Sequence, residues 1–292
     1  MPFFQIQLEL DAADVPAAED VLLEHGALSV TLQDPGGEPV LEPEPGENPL
    51  WERPLLLALF DQHAVITEVR HALSELLGDA AVLVRDVEEV PDRAWERVWM
   101  DDFTPMRFGQ RLWICPSTHR VDAEGAIVVH LDPGLAFGTG THPSTALCLR
   151  WLDSQDLAGK SMVDYGCGSG ILSVAGLLLG ARRCHGVDTD RQALLASREN
   201  AIRNDVGERL SLSLPGRPPA AADVLVANIL SGILLELAAV LGSLVRPGGL
   251  IALSGILRAQ VREIEAAYGK AFRLREPVYD GDWALVSGYR RR

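Results

Sequence analysis

A chain of 292 residues is long enough for two domains, each with a substantial core. Its net charge of -15 weighs against a nucleic-acid-binding surface, and its longest strongly apolar run, 171–181, is too short to span a bilayer and ends at Arg182-Arg183. The four cysteines, Cys115, Cys148, Cys167 and Cys184, have neither paired C-x-x-C spacing nor a disulfide framework, which points to reduced thiols in a cytoplasmic protein and to no zinc.

The charge is unevenly divided. Residues 1–90 hold 19 acidic side chains against three basic ones, a net -16, while the remainder is +1. Residues 1–10 alternate like a strand and lack the basic and apolar segments of a secretory signal. A helix over 15–25 stops at Gly26, a strand over 28–33 ends in Asp34-Pro35-Gly36-Gly37, and a Pro/Glu-rich loop fills 38–54. A strand over 55–60, an amphipathic helix over 65–77 closed by Gly78, and a strand over 81–87 complete the order βαββαβ, the split ferredoxin-like arrangement. Such a unit is expected as a recognition module, and its charge suits a basic partner; an acidic surface that serves only solubility is the alternative.

Residues 91–104 read as a helical linker, with Trp95 and Trp99 one turn apart on a face suited to packing against a neighbouring domain. The second domain, 105–292, opens with short strands at 106–108, 111–115 and 127–131. There follows the loop Leu131-Asp132-Pro133-Gly134-Leu135-Ala136-Phe137-Gly138-Thr139-Gly140-Thr141-His142-Pro143-Ser144-Thr145, and a helix begins near Pro143 or Ser144. Small hydroxyls such as Thr141, the ring of Phe137 and a glycine-punctuated backbone suit the wall of a cofactor pocket. Phe137 serves equally well as a core anchor, and His142 either caps the helix or moves a proton.

The next stretch, Val163-Asp164-Tyr165-Gly166-Cys167-Gly168-Ser169-Gly170, ends a buried strand in a glycine turn and then enters an apolar helix, an arrangement that places a ligand at the helix N-terminus. The spacing is Gly-x-Gly-x-Gly, with Ile171 where the dinucleotide fingerprint needs its third glycine. Asp164 stands two places before the first glycine, where a carboxylate repels a pyrophosphate but accepts from an ammonium. This favours S-adenosylmethionine, whose amino-acid end carries one. Asp188, at the end of the next strand, is placed to take the two ribose hydroxyls of any such nucleoside.

Beyond it the pattern gives a helix over 190–204, a strand over 223–227, a helix over 231–243, a strand over 249–254, a helix over 258–268 and strands near 271–276 and 283–289. Asn228 follows a buried strand at its carboxyl end, where α/β sites are built. The sequence after it is Ile229-Leu230-Ser231, without the prolines and ring that stack a planar amide or base, so a slim alkyl amine fits better than a nucleobase. Capping the following helix is the structural alternative for Asn228.

The runs Leu131 to Thr145, Asp164 to Gly170, Gly186-Val187-Asp188 and Val226-Ala227-Asn228-Ile229-Leu230 closely resemble those of the bacterial ribosomal protein methyltransferase family PrmA, and the resemblance covers essentially the whole chain. It implies a class I S-adenosylmethionine-dependent methyltransferase domain, Rossmann-like with a seven-stranded sheet, joined flexibly to an α+β ferredoxin-like recognition domain. It implies methyl transfer to lysine side-chain and N-terminal amines of the eleventh protein of the large ribosomal subunit. Thr145, Gly166, Asp188 and Asn228 are the matching cofactor-binding positions, and Asn228 is the expected catalytic residue. Asp164 and Gly168 join them on the argument above, with Phe137 and Thr141 from the loop. The expected partner is that basic ribosomal protein, with no direct nucleic-acid contact, no membrane and a monomeric state. An RNA or small-amine methyltransferase, and a non-catalytic cofactor-binding module, are the competing readings.

Overall fold

The computed structural model describes residues 3–34, 51, 53–61, 65–78, 83–90, 104–131, 141–216 and 219–292. The chain divides into two compact units, Met1–Val98 and Trp99–Arg292.

In the first unit the order is β1 (Phe3–Glu9), α1 (Val15–Glu24), β2 (Ser29–Gln33), β3 (Leu55–Phe60), α2 (Ile66–Leu77) and β4 (Leu83–Val90). The strands form one antiparallel sheet in the order β2-β3-β1-β4. Alternation in β3 turns Leu56, Ala58 and Phe60 inward against Ile6 and Leu8 of β1, and Leu22 of α1 and Leu73 of α2 close over them. Each such aliphatic or aromatic side chain contributes about 1.5–3 kcal/mol on burial. The last strand runs three residues further than its sequence pattern suggests because its pairing with β1 continues to Phe3 opposite Val90. The expected linker helix, with Trp95 and Trp99, and most of the Pro/Glu-rich loop lie outside the described residues.

The second unit begins with β5 (Met106–Phe108), β6 (Leu112–Cys115) and β7 (Ile127–His130), which form their own three-stranded sheet. The main sheet and its helices follow as α3 (Pro143–Asp153), β8 (Ser161–Tyr165), α4 (Ile171–Leu178), β9 (Arg183–Val187), α5 (Arg191–Arg203), β10 (Leu210–Ser213) and β11 (Ala222–Asn228). They continue with α6 (Ser231–Glu236), α7 (Ala238–Ser243), β12 (Val245–Leu257), α8 (Val261–Tyr268), β13 (Phe272–Leu274), β14 (Val278–Asp280) and β15 (Trp283–Arg290). The strand order is β10-β9-β8-β11-β12-β15-β13, with β14 paired to β15. Strands β10 to β12 are parallel and β15 is antiparallel to β12.

The chain winds outward from β8 through β9 to β10 and then returns to β11 on the other side of β8. The order therefore reverses between β8 and β11, and the crevice at their carboxyl ends is where open α/β sheets bind ligands. Both faces of this sheet are covered, so β11 reads as a continuous apolar run. Val224 and Val226 join the core on one face, and Leu225 and Ala227 join that on the other.

Three features differ from the sequence reading. The sheet has an eighth strand, because Val278–Asp280 folds back on β15 as a hairpin through Gly281, whose φ is 59°. Strand β10 was not expected. The helix over 231–243 is two short helices that meet at Leu237, whose φ of -89° and ψ of 5° leave the helical basin. No helix among the described residues is long and apolar enough to cross a membrane.

Candidate active site

The glycine turn closes β8 with three left-handed residues: Gly166 (φ 78°), Gly168 (φ 52°) and Gly170 (φ 78°). Only glycine adopts these angles without strain. At Gly166 a second constraint applies, since a Cβ would overlap Cγ2 of Ile229. Gly255 (φ 78°), in β12, faces the same residue from the opposite side, and a Cβ there would overlap the Ile229 carbonyl oxygen. The chain at 228–229 thus runs between two glycine backbones, which fixes Asn228 beside the cofactor turn. Gly166→Ala combines a positive φ with overpacking and is expected to cost about 2–4 kcal/mol, read as a lowered melting temperature.

The turn is held from both sides. Asp188 takes the Gly168 N–H on Oδ2 at 2.8 Å and the Asp190 N–H on Oδ1 at 3.0 Å, and Asp190 itself caps α5 by accepting from the Gln192 N–H. From α5, Ser197 donates to the Gly168 carbonyl at 2.8 Å and Asn200 to the Ser169 carbonyl at 2.9 Å. Asn204, one turn on, holds both backbone groups of His130, at the start of the 131–145 loop. Sequence reasoning missed Ser197, Asn200 and Asn204. Their signal is three polar residues on the buried face of a helix, where apolar ones belong.

Asp164 is fully buried, and Ser173 of α4 donates to its Oδ2 at 2.7 Å. Among the described residues its Oδ1 has no hydrogen-bond partner. An unpaired buried carboxylate oxygen is costly, which is what a site built to receive a cation would show before the cation arrives. Burial, together with the charge of Asp188, pushes the Asp164 carboxyl up to about 7 against the pull of the Ser173 bonds. A carboxyl whose pKa rises on folding favours the folded state most below its unfolded pKa near 4 and loses that contribution as pH rises through about 7. Ligand-free Asp164→Asn should therefore melt above the wild type at pH 8, and the gap should narrow as pH falls below about 7 and close by about pH 4.

Asn228, at the end of β11, meets Thr145: Asn228 Nδ2 donates to Thr145 Oγ1 at 3.1 Å. Thr145 is buried in the first turn of α3. Leu230, not Asn228, is the N-cap residue of α6, so the capping alternative for Asn228 is ruled out. With the amide nitrogen engaged by Thr145, the Oδ1 carbonyl is the group of this side chain that can accept from a ligand. His142 is the cap of α3: its Nδ1 accepts from the Ser144 N–H at 3.3 Å, with Ser144 Oγ 2.7 Å from the same nitrogen. Burial lowers the His142 pKa, which favours the neutral ring that capping needs, and that ring meets Trp283 edge-on at 4.6 Å. Thr141 is exposed just before the cap, and Phe137 lies outside the described residues.

Cys167, between the first two glycines, is buried, and its thiol is pushed up to about 12 by that burial and by the charge of Asp164. It packs the turn and is no nucleophile. All four cysteines are buried, and none is in a disulfide.

The arrangement suits S-adenosylmethionine. A buried carboxylate oxygen waits without a donor at Asp164, Asp188 has acceptor capacity beyond its two backbone bonds, and the glycine backbone permits close approach. The chain is similar to known proteins over its whole length. The family model described as Ribosomal protein L11 methyltransferase (PrmA) matches residues 2–291. The ribosomal protein L11 methyltransferase of Alkalilimnicola ehrlichii is 54% identical over 294 residues, covering all of both chains. That of Azotobacter vinelandii is 52% identical over 297 residues with the same coverage. The crystal structure of ribosomal protein L11 methylase from Lactobacillus delbrueckii subsp. bulgaricus superposes with a TM-score of 0.60 at 29% identity, covering 65% of this chain and 100% of that one.

Proposed function

The chain belongs to the PrmA family of ribosomal protein methyltransferases, and we propose that it transfers methyl groups from S-adenosylmethionine to lysine side-chain and N-terminal amines of the eleventh large-subunit protein. The observation that carries this reading is the placement of Asn228. It is fixed by Thr145 and by the Ile229 wedge, directly beside the turn that Asp188 holds. In this reading the 105–292 domain is a class I methyltransferase domain and 1–90 is a ferredoxin-like module that recognises the substrate in the cytoplasm.

Asp188 would hold the ribose and Asp164 the amino-acid ammonium, the backbone of Gly166 and Gly168 would permit the close approach between them, and Thr145 and Thr141 would contribute side chains to the pocket, with Phe137 kept as a candidate from the sequence alone. When bound, the cofactor supplies an electrophilic methyl group on a sulfonium. The chain's task is orientation. Asn228 Oδ1 would accept from an N–H of the incoming amine and so orient the amine's lone pair for transfer. The amine must be neutral: deprotonating a lysine at pH 7 costs about 4–5 kcal/mol, and an α-amine only about 1. The proton released by methylation passes to water, and no Asp, Glu or His is assigned as its acceptor.

Labelled-methyl transfer tests the reading against its rivals. With this chain and S-adenosylmethionine, label should enter the eleventh protein and not ribosomal RNA or small alkyl amines. Label in RNA alone would overturn it, and none in any acceptor despite cofactor binding would favour a non-catalytic module. The acidic first third adds a second expectation. Raising ionic strength from about 0.01 to about 0.15 M shortens screening from roughly 30 to 8 Å. The KM for the basic protein should then rise about tenfold while cofactor affinity stays within twofold. A salt-independent KM would leave the charge to solubility.

A further inference from the structure

Exposed apolar residues follow Asn228 along the two short helices after it. Leu230 is 55% exposed, Ile233 42% and Val240 41%, and Gly232 and Ala239 lie exposed among them. The opposite side of the same segment, Ser231, Leu234 and Leu241, is buried in the core. Across 229–245 the only charged residue is Glu236, in a chain whose overall charged content is 23%. A surface helix normally solvates its outer face with charge, and contiguous exposed apolar residues mark an interaction site.

Gly232 adds an independent observation. It sits in the first turn of α6, where glycine is worse than alanine by about a factor of five in helix formation. A Cβ at this position would meet nothing within 4 Å, so packing within the fold does not require glycine here. The bare backbone between Leu230 and Ile233 leaves room for another chain to approach closely.

We propose that the Leu230–Ile233–Val240 stripe is the docking surface for the segment of the substrate protein that carries the target amine. The inference rests on the functional reading above. Its occupant follows from position: Leu230 is exposed two residues beyond Asn228, so a polypeptide that presents an amine to Asn228 lies within reach of it. Glu236, alone on the stripe, suits a basic segment. Alkyl stems of lysines flanking the target would lie over Ile233 and Val240 while their heads stay in water.

The test uses the full chain carrying Ile233→Ser with Val240→Ser, and separately Leu230→Ser, all at side chains exposed enough to leave the core intact. The KM for the eleventh protein should rise about tenfold or more in the double variant. The kcat should stay within threefold, cofactor affinity should be unchanged, and the melting temperature should move by no more than about 5–8 °C. A photo-crosslinking residue at Val240 should capture that protein. An active wild type with an untouched KM in both variants overturns the docking surface alone, as does a crosslink only to a second copy of this chain. A wild type that transfers no methyl to the protein overturns the functional reading, and the docking surface with it.

Discussion

Asp188→Ala is expected to weaken S-adenosylmethionine binding about 100-fold, measured by titration calorimetry on the purified chain. The carboxylate has two tasks. It receives the Gly168 N–H at 2.8 Å, which fixes the middle of the glycine turn, and it is the proposed acceptor for the ribose hydroxyls. Hydrogen bonds to an ionised acceptor contribute about 1.5–3 kcal/mol each, so the loss of the hydroxyl contacts alone reaches about two orders of magnitude. Ser197 and Asn200 still hold the turn by its carbonyls, so the variant should fold. Asp188→Asn keeps the shape but brings an NH2 group to one of the two backbone N–H donors, and should fall between the wild type and Asp188→Ala. Unchanged affinity in both variants would remove Asp188 from the cofactor site.

Asn228→Ala should lower kcat by about 10²–10³-fold while cofactor affinity changes by less than about fivefold. The Oδ1 carbonyl is the group assigned to orient the amine, and misplacing a reacting group by about 1 Å costs on the order of 10²-fold. Thr145→Val probes the same contact from its other side. It removes the acceptor that fixes the Asn228 amide at 3.1 Å and should lower kcat about tenfold with the side chain of Asn228 still present. Undiminished turnover in Asn228→Ala would sink the orienting role and leave the main-chain carbonyls to perform it.

The glycine turn was legible because its demands are local: alternate glycines between an apolar strand and an apolar helix announce positive φ at 166, 168 and 170. Asp188 was legible for the same reason, as an acid at a strand end. The Ile229 wedge was not, since it depends on the approach of two glycine backbones, Gly166 and Gly255, nearly ninety residues apart in the chain. Strand β10 escaped because Leu210-Ser211-Leu212-Ser213 is four residues long and lies at the sheet edge, where pairing with β9 supplies what propensity does not. The polar face of α5 was visible as a pattern, Ser197, Asn200 and Asn204, but its meaning came only with the carbonyls those residues hold. His142 could not be divided between cap and proton carrier until its Nδ1 was seen at the Ser144 N–H.

The most direct test of the account is intact and fragment mass spectrometry of the eleventh large-subunit protein after incubation with this chain and S-adenosylmethionine. The account predicts mass steps of one methyl group each. Fragments should place them on lysine Nζ atoms and on the N-terminal amine, and the steps should be absent with Asn228→Ala over the same time course. Methyl groups found on arginine, glutamine or carboxyl groups, or an unmodified protein in the presence of demonstrated cofactor binding, would contradict it.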